Sequence, residues 1–155
     1  MNKFVLIAGL FFAGQAFAAW SGEYADTLQP QKVDGYYQIT NENELAWISA
    51  TFAGNTKNEK VKPMADLDMG GKAFVPICAG KGTPKFQGVF DGNGQTIKNL
   101  YIDSDSSKVK LRKNGDFGQN QGFIAVIGNE KKNDFTLKNI TFKDAVINGD
   151  VELSC

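Results

Sequence analysis

Short alternations of apolar and polar residues dominate this chain, and one internal segment departs from them with a helical pattern. Its apolar positions fall on one helix face: Leu45, Ile48 and Phe52. Asn41 can cap the start, Glu44 stands where a capping box places an acid, and Gly54 can adopt the left-handed conformation that ends a helix. The pattern predicts a helix over 41–54 that covers a core.

The remaining apolar stretches have the length and composition of strands. Residues 36–40 are rich in aromatic and β-branched residues, 61–69 alternate imperfectly around Met64 and Leu67, and 122–128 form a continuous apolar run. Glycine and asparagine separate these stretches. The chain is therefore predicted to be mainly β.

A short repeat indicates how the strands are arranged. The segments 96–102 and 136–142 both have the pattern Thr, aliphatic, Lys, Asn, aliphatic, any residue, apolar. A repeated strand unit is typical of solenoids, in which one coil stacks on the next. Asn99 and Asn139 would then occupy equivalent bends, where asparagine tolerates left-handed backbone angles and can form hydrogen bonds along the stack. Two unrelated surface asparagines are the alternative.

A tight reversal is predicted immediately before the first copy. Four consecutive residues there accept positive φ: Asp91, Gly92, Asn93 and Gly94. Their backbone geometry is a sufficient reason for the glycines, and the spacing does not fit a calcium loop.

The N-terminus predicts export. Lys3 precedes an apolar run over 4–12, and small residues lead to an Ala-x-Ala site with cleavage between Ala18 and Ala19. The run is shorter than the roughly 20 residues of a membrane-spanning helix, and no second long apolar stretch follows. Residues 1–18 are thus a predicted signal peptide, 19–34 an irregular lead-in, and 35–155 a single β module.

The net charge argues against a nucleic-acid partner, and the two cysteines allow a disulfide. The chain has 17 basic and 17 acidic residues, and losing Lys3 with the signal leaves a net charge of about −1. No basic field for nucleic acid is present. Cys78 and Cys155 could form one disulfide in an oxidising compartment, with two unpaired thiols as the alternative, since Cys155 is the last residue.

The sequence offers little for catalysis. It contains no histidine, which excludes imidazole bases, histidine-dependent triads and the usual zinc sites. Asp66 and Asp68 are the best carboxylate pair, but such a pair is more often a solvated strand face. Arg112 lies in a polar, lysine-containing stretch. The segment 103–107 resembles the start of a calcium loop and lacks the glycine and glutamate that complete one, so no metal or other cofactor is expected.

Three aromatic residues could stack on a sugar. Trp20 and Tyr101 would serve a binding module if they lay exposed on a sheet face. Trp47 lies beside the apolar face of the predicted helix, so we expect it to pack against the core.

A family resemblance emerges from the order of these motifs. The pattern Phe-Asp-Gly-Asn-Gly-x-Thr-Ile-x-Asn-Leu-x-Ile over 90–102, then 122–125 and 137–140, resembles bacterial GLUG-motif surface proteins. Gln95 and Ala125 depart from the family, which often has histidine and glycine there. The resemblance implies a short right-handed parallel β-helix, like that of filamentous-haemagglutinin-like adhesins. The predicted helix would then cap its N-terminal end. A compact β-sandwich is the competing fold.

The resemblance implies location and architecture more than a ligand. We expect an exported, non-catalytic surface or adhesion module that binds a polysaccharide or a surface protein. The alternative is the N-terminal part of a carbohydrate-active β-helix enzyme, a lyase or hydrolase whose active site lies outside this chain. The sequence also leaves open whether further β-helix coils of a longer chain stack on the C-terminal end, which would make the module incomplete there.

Overall fold

The computed structural model describes residues 19–80, 84–103, 121–128 and 135–149. The predicted signal peptide, Cys155, Arg112 and 104–107 lie outside these residues. Within them the protein is mainly β with one α-helix, as predicted. The elements are β1 (Gln31–Val33), β2 (Tyr36–Ile39), α1 (Glu42–Phe52), β3 (Lys60–Pro63), β4 (Leu67–Asp68), β5 (Val89–Asp91), β6 (Thr96–Lys98), β7 (Tyr101–Asp103), β8 (Thr136–Lys138), β9 (Thr141–Lys143) and β10 (Val146–Asn148).

The strands form three sheets in which neighbours run mostly parallel. The first sheet has the order β1-β2-β3-β5-β8, the second β4-β6-β9 and the third β10-β7. All pairs are parallel except the β1–β2 hairpin, whose turn uses positive φ at Asp34 and Gly35. Parallel neighbours require connections longer than a hairpin. Here β2 and β3 are connected through α1, and every other parallel pair is connected through strands of another sheet.

The core consists of apolar side chains stacked in rows from strand to strand. Phe90 lies between Val61 and Leu137 in the first sheet, and Ile97 lies between Leu67 and Phe142 in the second. Phe90 and Ile97 are fully buried. Because successive side chains of a strand alternate between its faces, each three-residue strand contributes one residue to the core.

The predicted helix is confirmed at Glu42–Phe52. The Asn41 side chain accepts a hydrogen bond from the Glu44 amide (3.1 Å), and the Glu44 carboxylate accepts one from the Thr40 amide (2.6 Å). Gly54 has φ of 72°, as expected of a residue that ends a helix. All three residues of the predicted apolar face are buried: Leu45, Ile48 and Phe52. Within the described residues, no helix is long and apolar enough to cross a membrane.

The lead-in is more ordered than predicted. It contains β1 and a 3-10 turn at Tyr24–Asp26, and the Tyr24 hydroxyl accepts a hydrogen bond from the Val75 amide at 2.7 Å. Burial raises the pKa of that hydroxyl. Ser49 of α1 donates to the Val75 carbonyl, which links the lead-in and the helix through one buried network. The expectation of an irregular segment failed because its polar composition concealed two core aromatics, Trp20 and Tyr24.

Two strand predictions also need correction. The single strand expected over 61–69 is two strands in different sheets, and Met64 at the bend between them is 42% exposed. The buried strand expected over 122–128 is limited to isolated parallel bridges at Ile124 and Ile127. The hydrophobic pattern of each segment therefore did not reveal where regular strand pairing stops.

The strand register differs from the one that the sequence repeat predicts. Thr96 pairs with Thr141 and not with Thr136, because β6 belongs to the second sheet and β8 to the first. The repeated segment is thus one strand with its following bend, and the same local unit serves different sheets. Ile97 stacks on Phe142, and Ile102 stacks on Ile147.

Candidate functional site

The predicted reversal after β5 is held by a carboxylate. One oxygen of Asp91 accepts hydrogen bonds from the Asn93 amide (3.1 Å) and from the Asn139 side chain (3.0 Å), and its other oxygen lies 3.3 Å from the Lys138 ammonium. The Asn139 hydrogen bond is the main reason that the pKa of Asp91 is lowered. Asp91 therefore ties its own turn to the neighbouring strand.

The same arrangement occurs after β4. One oxygen of Asp68 accepts hydrogen bonds from the Gly70 amide (3.0 Å) and the Asn99 side chain (2.8 Å), and the Asn99 contact is the main reason that the pKa of Asp68 is lowered. Asn99 and Asn139 have φ of 51° and 55°. The sequence repeat predicts that they pair with each other. They do not, because they follow strands of different sheets. Each pairs with an aspartate of the adjacent strand instead.

Gly92 and Gly94 allow the backbone conformation of the reversal after β5. A Cβ on Gly92 would lie 2.4 Å from the Asn139 carbonyl oxygen, so the adjacent chain leaves no room for a side chain. Gly94 has open space around it but a φ of +75°. Asn93 also has positive φ, and its side chain donates to the Pro63 carbonyl at 3.2 Å. The close contact and the positive φ values are sufficient to explain why glycine and asparagine occupy this turn.

Removing the Asn139 amide should raise the pKa of Asp91 towards its ordinary value of 3.8. We expect this in Asn139→Gly, which keeps the left-handed backbone but loses the donor. Because the folded-state pKa is depressed, the stability that Asp91 contributes is complete above its ordinary pKa and is lost as the pH falls through the folded value. Titration of the aspartate carboxyl carbons by NMR checks the pKa, and urea denaturation at several pH values checks the change in stability.

The matched control for that experiment is Asn99→Gly, which should shift the pKa of Asp68 and leave Asp91 unchanged. If Asn139→Gly moved neither carboxyl, the hydrogen bond would not hold the charge on Asp91.

The candidate catalytic carboxylates are engaged in structural contacts. Asp66 accepts a hydrogen bond from the Thr96 amide at 2.7 Å, and Asp68 has the partners given above. A shallow groove beside Asp68 is lined by Ala19, Glu42, Gly70, Gly71 and Asn99, but the Glu42 carboxylate already accepts from the Asp68 amide at 2.9 Å. No group of three potential metal ligands occurs in the part of the chain that the structure describes.

The two residues proposed as sugar-stacking groups do not form an exposed platform. Trp20 is only 3% exposed and packs edge-on against Tyr24 and Phe74, so its predicted role as an exposed ring is wrong. Tyr101 is half-buried, and its hydroxyl donates to Asp103. Trp47 packs against Tyr37 with ring centroids 5.9 Å apart, as expected of a residue beside the core.

Cys78 is fully buried and has φ of 60°. Burial is the main reason that the pKa of its thiol rises to about 11. It forms no disulfide within the described residues. The pairing with Cys155 stays a prediction, because Cys155 lies outside them.

An aromatic and cationic cluster that the sequence analysis did not identify lies on the outward face of the first sheet. Tyr36 pairs directly with Lys60, and the Lys60 and Lys62 ammonium groups lie 5.5 and 4.7 Å from the centre of its ring. We call Tyr36, Lys60 and Lys62 the tyrosine–lysine cluster. Its members point outward because their neighbours Tyr37, Ile39 and Val61 point to the core.

The two lysines of this cluster carry uncompensated charge. On the same sheet, Lys32 pairs with Glu59 at 2.7 Å and Lys138 pairs with Asp91. Lys60 and Lys62 have no carboxylate partner among the described residues. The cluster therefore presents a half-buried ring flanked by two available cations, which suits an anionic group on a flat or extended partner.

Comparison with protein-family models, with curated proteins and with solved structures found no match to this chain.

Proposed function

We propose that this protein is an exported, non-catalytic surface or adhesion module that binds an acidic polysaccharide, or a surface protein with a similar charge, through the tyrosine–lysine cluster. The observation that carries the proposal is the pair of unpaired lysines against Tyr36 on an outward sheet face. A ring on β2 and two cations on the neighbouring β3 can contact a sugar face and its carboxylate together, since neighbouring strands lie about 4.8 Å apart.

The proposal includes the architecture that the resemblance to GLUG-motif proteins implies. The strands β5, β6 and β7 visit the first, second and third sheets in turn, and β8, β9 and β10 repeat that order on top of them. This order is typical of a parallel β-helix, and right-handed crossover is by far the commoner hand for parallel strands. In this arrangement α1 serves as the N-terminal cap.

Binding without turnover is the expected behaviour. Asp66 and Asp68 each accept backbone amide hydrogen bonds that shape the corners between sheets, and the lowered pKa of Asp68 keeps it ionised and unsuited to act as a general acid. A carbohydrate-active enzyme with its active site elsewhere is the second hypothesis. Product formation by the purified chain that Asp66→Asn or Asp68→Asn abolishes would overturn the non-catalytic proposal.

The test of the cluster is the affinity of purified Ala19–Cys155 for polygalacturonate and for a neutral glucan. The variant Lys60→Gln/Lys62→Gln should bind the acidic polymer about tenfold more weakly, because two ammonium groups are lost, and the wild-type affinity should fall as salt is raised. Affinity electrophoresis or calorimetry measures both effects.

For a control matched in charge, the single variants Lys62→Gln and Lys98→Gln each remove one ammonium group, the first from the cluster and the second from the second sheet. Lys62→Gln should weaken binding, and Lys98→Gln should leave affinity unchanged. An equal loss in both variants would indicate a general charge effect, and equal binding of acidic and neutral polymers would refute the role of the lysines.

A further inference from the structure

The last strand of each sheet has an open side. β8, β9 and β10 stand at the ends of the first, second and third sheets, and no strand lies beyond them in the described residues. The opposite end differs, because β1 adds an antiparallel strand to β2 and α1 covers the core beside it. An exposed strand edge carries unpaired N–H and C=O groups that can pair with another chain.

The core rows of the three sheets also end exposed at this edge. The residue of each row one strand further in is fully buried: Phe90, Ile97 and Ile102. The terminal members are 41%, 37% and 50% exposed: Leu137, Phe142 and Ile147. Each of the three sheets thus ends in a large exposed apolar side chain. Apolar residues exposed together at one end of a structure mark an interaction surface more often than scattered ones do.

The charges at the edge indicate what would cover it. Lys138 has Asp91 on its inner side and an open outer side. Lys143 pairs with Lys98, so two like charges lie directly opposite each other on the outward face of the second sheet. Like charges at paired positions are unfavourable, and an acid placed on the outer side of Lys143 would offset them.

We propose that this edge binds strands of another polypeptide as a further parallel layer, with apolar residues facing Leu137, Phe142 and Ile147 and acidic residues facing Lys138 and Lys143. The main-chain pairing supplies affinity, and the alternating apolar and acidic positions supply specificity. A second copy docked by the same edge fits less well, because a two-fold arrangement would place this lysine-bearing edge against itself. The edge is separate from the tyrosine–lysine cluster, so the inference does not depend on the proposed function.

The probe is a synthetic peptide of residues 136–148 that carries Lys138→Glu and Lys143→Glu, and the matched control is the unchanged peptide. The glutamate peptide should bind the full mature chain at least about tenfold more tightly than the lysine peptide, and the difference should shrink as salt is raised. Fluorescence anisotropy measures the affinities. Hydrogen exchange should show protection confined to the amides of β8, β9 and β10.

Two variants locate the binding. Phe142→Lys places a charge in the exposed row and should abolish peptide binding, whereas Val33→Lys, at an exposed apolar side chain (40%) of β1 at the opposite end of the first sheet, should leave it intact. Equal affinity of the two peptides, or no protection of the edge with either, would overturn the proposal. A stable dimer that buries the edge would also overturn it, because the occupant would then be a second copy. Strong peptide binding that requires removal of residues 150–155 would do the same, because the occupant would then be the chain itself.

Discussion

Replacing Gly88 with alanine should destabilise the protein by more than about 3 kcal/mol, enough to unfold it in mild denaturant. A Cβ at Gly88 would lie 1.8 Å from the Glu59 carbonyl oxygen and 2.6 Å from the Glu59 nitrogen. Both are backbone atoms, so no side-chain rotation can relieve the clash. Gly88 also accepts a hydrogen bond from the Thr136 amide at 3.0 Å, so its backbone is held between the chains on both sides.

Gly94→Ala is the matched control, because a side chain there meets nothing within 4 Å but must adopt a φ of +75°. It should cost on the order of 1 kcal/mol, the usual penalty for a non-glycine residue in the left-handed region. Urea denaturation followed by circular dichroism compares the two variants. Equal urea midpoints for the two variants would mean that the backbone of Gly88 does not pack closely against the backbone of Glu59.

Helix α1 could be predicted because its signals are local. Asn41, Glu44 and Gly54 lie within a few residues of the positions that they cap or end, and the apolar spacing defines the buried face without knowledge of any partner. The mainly β class followed for the same reason. The bend at Met64 was not predicted, because the hydrophobic pattern of 61–69 is the same for one strand as for two strands in different sheets.

Register is the part that the sequence could not provide. Thr96 and Thr136 begin the same local pattern, yet they lie in different sheets, since the pattern encodes a strand and its bend and not a whole coil. The left-handed conformations of Asn99 and Asn139 were expected, but their aspartate partners depend on which strand lies alongside. The tyrosine–lysine cluster was missed likewise, because Tyr36 and Lys60 meet only once β2 and β3 are in register.

The core position Phe90 and the edge position Phe142 should respond very differently to truncation. Phe90→Ala should cost about 3 to 5 kcal/mol, because the ring is fully buried, packs edge-on against Phe123 at 5.1 Å between centroids, and would leave a cavity between β3 and β8. Phe142→Ala removes the same atoms from a side chain that is 37% exposed at the last strand of its sheet. It should cost less than about 2 kcal/mol, since solvent can fill the space.

The difference between the two free energies of unfolding, measured in urea, tests whether the core rows end at β8, β9 and β10 in solution. If Phe142→Ala were as costly as Phe90→Ala, the edge would be covered in the isolated protein. With saturating glutamate peptide, the destabilisation caused by Phe142→Ala should rise towards that caused by Phe90→Ala. A bound layer would bury Phe142 as β8 now buries Phe90, so the truncation would also remove contacts with the peptide. A destabilisation that did not rise would mean that the peptide binds elsewhere, whatever its affinity.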